Sequence, residues 1–132
     1  MGTFAFEAKS VAIEQPVGEF HLVGFADSEF NTNIYLMLQR ALEFDDQDVE
    51  LGMDTYHVEW CGQESSGYGG ISQFVLKTNC AEITFSPNTA ETLDGLVRLF
   101  ISFQLSPSEH LALRAALTSI FEGSGCLVVA GA

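Results

Sequence analysis

The sequence predicts an α+β protein: an antiparallel sheet of about six to seven strands with one C-terminal helix packed on one face. Two observations predict it. Before residue 105 the apolar residues recur in short segments of period two, broken by Gly, Pro, Asn and Ser. After residue 105 a single stretch has helical spacing and clear signals at both ends. At 132 residues the chain reads as one domain over 1–132, with 125–132 a short edge strand or a tail. An apolar fraction of 47% and eleven Phe promise a bulky core that needs no disulfide or metal to hold it.

Taken in order, residues 3–13 alternate as one strand, with Phe4, Phe6 and Ala8 on one side and Glu7 and Lys9 on the other. Pro16 and Gly18 make a turn, and residues 19–26 (EFHLVGFA) form a second strand. DSEFNTN is a polar connection. Residues 34–43 (IYLMLQRALE) have helical propensity, yet Ile34, Leu36, Leu38, Arg40 and Leu42 alternate, so a strand is expected. FDDQDVELGMD is a loop or strand edge punctuated by Gly52. In residues 54–60 (DTYHVEW), Tyr56, Val58 and Trp60 share one face, and Thr55, His57 and Glu59 the other.

CGQESSGYGG is a Gly/Ser-rich turn region. Residues 71–78 and 81–86 form a hairpin around Asn79. Pro87 to Gly95 holds one helical turn, and residues 96–105 form an apolar strand with Leu99, Ile101 and Phe103 facing one way. In the helix, Ser106 is the N-cap, Pro107 opens the first turn and Glu109 completes a capping box. Leu113, Leu117, Ile120 and Phe121 share its apolar face, and Gly123 suits its C-terminal cap.

Charge narrows the function. Five bases stand against 18 acids, a net charge of −13. Nucleic acid and anionic membrane surfaces both need Lys and Arg, so neither is an expected partner. The stretch 27–64 holds ten acids and one base, Arg40, and so carries −9 of that charge. Like charge at this density opposes folding, so a basic protein partner is the simplest account of it. The expected contact residues are Glu43, Asp45, Asp46, Asp48, Glu50, Asp54 and Glu59, with Trp60 and Tyr68 as aromatic anchors beside them. The bland alternatives are a solvated face for the acids and a core position for Trp60.

Reactive chemistry finds little support. An EF-hand frame on Asp46, Asp48 and Glu50 puts Leu51 where glycine is required and His57 where a bidentate Glu is required. His21, His57 and His110 lack zinc spacing, so no metal or cofactor is expected. His57, Glu59 and Cys61 share a face if the strand stays regular, but nothing signals an oxyanion hole. GYGG at 67–70 lacks the Lys and Ser/Thr of a phosphate loop. Cys61, Cys80 and Cys126 are odd in number and widely spaced, which fits a reducing compartment. The first ten residues lack the basic and apolar regions of a signal peptide, and no apolar run has the length of a membrane span. A cytoplasmic, non-enzymatic protein is the expectation.

The run GFADSEFNTNIYLMLQRALEFDDQDVELGMDTYHVEW followed by GYGGI resembles a bacterial family, immunity protein ten. The resemblance covers roughly residues 20–121. Its recognisable pieces are Gly24-Phe25-Ala26-Asp27, Tyr35-Leu36-Met37-Leu38-Gln39-Arg40, the Asp45 to Asp54 block and Gly69-Gly70. None of these is a catalytic signature. The resemblance implies a small cytoplasmic inhibitor, encoded beside its toxin in a polymorphic or contact-dependent system and binding it tightly. Two other readings stay open on the residues alone: a small-ligand-binding domain with a pocket between sheet and helix, and a structural homodimer pairing through a sheet edge or the tail.

Overall fold

In the computed structural model the alternation that begins at Phe4 changes phase near Lys9, and the chain changes sheet there. Strand β1 (Thr3–Glu7) turns Phe6 inward, and strand β2 (Ser10–Glu14) turns Val11 and Ile13 inward. The one strand expected over 3–13 is therefore two. Inward positions are even before the break and odd after it, and Ala8, 5% exposed, marks the crossing. The described residues are 2–14, 20–41, 46–50 and 55–130, the side chain of Asp48 excepted. The expected turn at Pro16 and Gly18 and the punctuation at Gly52 lie outside them.

The next strands are β3 (Phe20–Ala26), β4 (Tyr35–Ala41), β5 (His57–Trp60) and β6 (Ser66–Tyr68). A short helix, α1 (Asp46–Glu50), lies between β4 and β5. With β2 these strands form a five-stranded antiparallel meander in chain order. Of the strand expected over 34–43, Tyr35–Ala41 is strand and residues 42 and 43 lie outside the described residues; Leu36 and Leu38 are fully buried, as period two requires. The Gly/Ser-rich region contains β6. Its residues Ser66, Gly67 and Tyr68 carry no apolar alternation, and it joins the sheet by backbone pairing with β5.

The second sheet has the order β1-β9-β8-β7-β10, with β7 (Ile71–Leu76), β8 (Cys80–Phe85), β9 (Arg98–Ser102) and β10 (Leu127–Val129). The hairpin of β7 and β8 pairs as expected, with an irregularity between Ile71 and Gln73. Both edges are parallel: β1 on β9 and β10 on β7. A purely antiparallel sheet is thus corrected to one antiparallel sheet and one mixed sheet. Parallel pairing needs a long connection, and here most of the chain lies between β1 and β9. The described residues hold ten strands in two sheets, against the six or seven expected in one.

The inner faces of the sheets share one core. Phe25 of the meander lies 6.0 Å from Phe103, stacked, and 6.5 Å from Phe74 of the mixed sheet. Each such ring, fully removed from water, contributes roughly 2–3 kcal/mol. Helix α2 (Pro87–Thr92) starts on the Ser86 N-cap, and helix α3 (Pro107–Ile120) on Ser106 with the full capping box. Leu113, Leu117 and Ile120 of α3 are buried, and the helix packs mainly on β3. Phe121 is its C-cap and Gly123, at φ +82°, turns the chain two residues later. Arg40 on β4 donates from Nη1 to the carbonyls of Ile120 (3.2 Å) and Glu122 (2.6 Å). That places a cation at the negative end of the helix, where the free carbonyls concentrate.

Candidate functional site

The strand register sorts the acidic residues into two groups. Ala26 pairs with Tyr35 and Leu36 pairs with Trp60, so the β3–β4 and β5–β6 connections lie at one end of the meander. Phe20 pairs with Ala41, and Gln39 and Tyr68 both pair with His57, so the β4–β5 connection and the end of β6 lie at the other. The −9 stretch is therefore divided. Asp27, Glu29 and Glu64 sit at the first end, and the connection that carries α1 leaves β4 and enters β5 at the second.

At the α1 end, Asp46 and Glu50 are exposed. Glu43, Asp45 and Asp54 lie outside the described residues, as does the side chain of Asp48. The helical backbone of 46–50 does not form the calcium loop weighed above, and among the described residues no three His, Cys, Asp or Glu gather as metal ligands. Tyr68 is 45% exposed and meets His57 edge-on at 4.9 Å. Its ring is thus presented at the same end as α1.

Glu59 and Trp60 are arranged differently. Glu59 is 8% exposed, and its Oε2 accepts the Tyr35 hydroxyl. Burial, helped by that bond and the carboxylate charge, pushes Tyr35 up to about 12. Trp60 turns inward, 5.6 Å from Phe4 and 6.1 Å from Phe6. The carboxylate and the indole of these neighbours thus serve the sheet and the core margin, at the end of β5 away from α1.

The His57, Glu59 and Cys61 trio does not assemble. Cys61 takes φ +56°, which ends the regular strand, and its thiol donates to the Tyr35 carbonyl at 3.7 Å. His57 is turned to Tyr68. Burial pushes the Cys61 thiol above its ordinary value, which keeps it a poor nucleophile near neutral pH. GYGG has a structural task. Gly70 sits at φ +92°, its carbonyl accepts the Ser86 N–H at 2.8 Å, and an added Cβ would lie 1.8 Å from the Thr89 Oγ1. Only a glycine lets this backbone press against the start of α2.

The first end carries an aromatic side chain within the segment expected to be a plain polar connection. Phe30 is 86% exposed. Its loop is tied by Asp27, whose Oδ1 accepts the N–H groups of Asn33 (3.0 Å) and Ile34 (3.2 Å). Ser28 adds two bonds: its Oγ accepts the Asn31 N–H at 3.2 Å, and its carbonyl accepts the Thr32 hydroxyl at 2.6 Å. Beside the loop lies an open groove of about 460 Å³, lined by Phe4, Ile34, Trp60, Cys61, Asp94 and Leu96 among others. A single Phe inside DSEFNTN was the available signal: a large apolar residue with no apolar periodicity around it.

This geometry is a two-sheet fold with exposed acidic residues near the ends of the meander, and no catalytic group assembles among the described residues. The family model described as "Immunity protein 10" matches residues 7–111, which is most of the chain. The chain belongs to the immunity protein 10 family. The match starts earlier than the resemblance read from the sequence and stops within α3. None of the curated proteins and none of the solved structures compared with it matches this chain. Among the described residues, no helix is long and apolar enough to cross a membrane.

Proposed function

We propose that this protein neutralises a bacterial toxin domain in the cytoplasm by binding and occluding it, without chemistry of its own. Membership of the immunity protein 10 family over residues 7–111 carries this reading. The net charge of −13 supports a basic toxin as the partner, since opposite charge speeds encounter and disfavours wrong partners. Glu43, Asp45, Asp46, Asp48, Glu50 and Asp54 supply the acidic contact surface, with Tyr68 as the aromatic beside it. Glu59 is committed to Tyr35 and Trp60 is packed on Phe4 and Phe6, so neither is assigned to this surface.

The test is kinetic. The toxin domain encoded beside the immunity gene is titrated with the protein at about 50 mM and about 500 mM salt, where screening falls from mild to nearly complete. Electrostatic capture predicts an association rate that drops roughly tenfold or more across that range. The double variant Asp46→Asn, Glu50→Gln lowers the low-salt rate severalfold. An association rate indifferent to salt would remove the acidic surface from the mechanism.

One observation favours a second reading. Strand β10 is an edge, and Val128 and Val129 on it are 42% and 36% exposed. Such an edge suits pairing with a second copy. Sedimentation of the purified protein decides this: a monomer at tens of micromolar removes the homodimer.

A further inference from the structure

We infer that Phe30 is an apolar anchor that inserts into the bound toxin, and that the Asp27–Ile34 loop with the groove beside it forms a second contact region at the end of the meander opposite α1. This rests on the toxin-binding function proposed above and names a surface for it.

A single exposed apolar side chain is ordinary on a protein surface. Phe30 differs in degree and in setting. At 86% exposure almost the whole ring is in water, and the fold gains nearly nothing from it. The loop beneath is held by the Asp27 carboxylate and Ser28, so the ring is offered from a backbone already ordered. An aromatic presented that way is a low-entropy anchor, the kind of residue that dominates interface energies. The groove that the last residue of the loop, Ile34, lines together with Phe4, Trp60 and Leu96 gives the partner an apolar recess to fill in return.

Charge selects the occupant. Asp27 and Glu29 flank Phe30, Glu64 lies on the neighbouring β5–β6 turn, and Asp94 stands on the groove rim. Arg98, the base nearest the groove along the chain, is held over the Phe100 ring at 5.3 Å, on the outer face of the mixed sheet. A second copy fits badly, because a two-fold contact would set these same carboxylates against each other. A basic protein fits. One partner spans both ends: the seven residues of β4 cover about 23 Å, within the reach of an interface of about 800 Å² per side.

The test compares Phe30→Ala, Phe30→Trp and Leu111→Ala by calorimetric titration with the toxin domain encoded beside the immunity gene. Leu111, on α3 and 64% exposed, is the control for a generic surface residue. Phe30→Ala is expected to weaken binding by roughly 30-fold or more, the mark of a hot spot, with an unchanged urea melt. Phe30→Trp stays close to wild type, as does Leu111→Ala. A photo-crosslinking residue at position 30 is expected to capture the toxin domain. Phe30→Ala binding within about twofold of wild type, or no crosslink from a bound complex, overturns the anchor and leaves the immunity function standing. Self-association abolished by Phe30→Ala assigns the surface to a second copy and also overturns it. Wild-type protein that leaves the toxin domain unbound overturns the function, and the anchor with it.

Discussion

Tyr35 and Tyr56 are the side chains whose environment most changes their chemistry. Burial is the largest cause for both, and each is pushed from an ordinary 10.0 up to about 12. Tyr35 donates to Glu59, while the Tyr56 oxygen accepts the Ile71 N–H at 2.9 Å. The folded state therefore holds these protons more tightly than the unfolded chain. Their contribution is complete below about pH 10, where neither state has ionised, and is lost as pH rises toward about 12. We expect urea melts to show a steep loss of stability between about pH 9 and about pH 12, coincident with tyrosinate absorbance. Tyr35→Phe should flatten part of that slope. A slope unchanged by Tyr35→Phe would mean its proton is not tied to folding.

Elements here are joined by close backbone approaches as much as by side-chain packing. The link from β6 to β7 presses onto the start of α2 at Gly70, with φ +92° and Thr89 in van der Waals range. Gly70→Ala forces both a left-handed alanine and a displaced Thr89. Strain of this kind plus overpacking predicts a loss of roughly 2–4 kcal/mol, read as a lower urea midpoint with an unchanged slope. Gly69→Ala is the comparison: it has the same sign of φ, at +70°, but its nearest neighbour is at an ordinary 3.7 Å. It should cost clearly less. Equal losses at the two positions would show that conformation, and not the contact with Thr89, sets the cost.

Across the whole molecule, 18 acids repel one another with five bases to relieve them. Lys77 with Glu82 is the one acid–base ion pair resolved among the described side chains, on a hairpin remote from the acidic stretch. Self-repulsion is greater in the compact state than in the unfolded chain, so screening stabilises the fold. The melting temperature should rise by several degrees between about 20 mM and about 500 mM sodium chloride, since about 1 kcal/mol moves a domain of this size by a few degrees. Over the same range affinity for a basic partner should fall. Opposite trends in stability and affinity would separate the two consequences of one charge distribution; a melting temperature that fell with salt would contradict the repulsion.

Local signals made much of this fold legible. The α3 boundaries followed from Ser106, Pro107 and Glu109, because a helix start must satisfy its own free N–H groups. Leu36, Leu38, Leu99 and Ile101 were legible as core because alternation alone decides which face a strand residue takes. The phase change near Lys9 was present in the residues but reads as a change of sheet only once partners are known. Strand β6 was hidden because Ser66, Gly67 and Tyr68 join through backbone atoms, which every residue shares. The parallel edges, the division of the acidic stretch between two ends, and the nearness of Phe30's loop to Phe4 and Trp60 were decided only in three dimensions. Periodicity and capping are written within a few consecutive residues, whereas strand order and surface neighbourhoods depend on which distant segments bury one another's apolar faces.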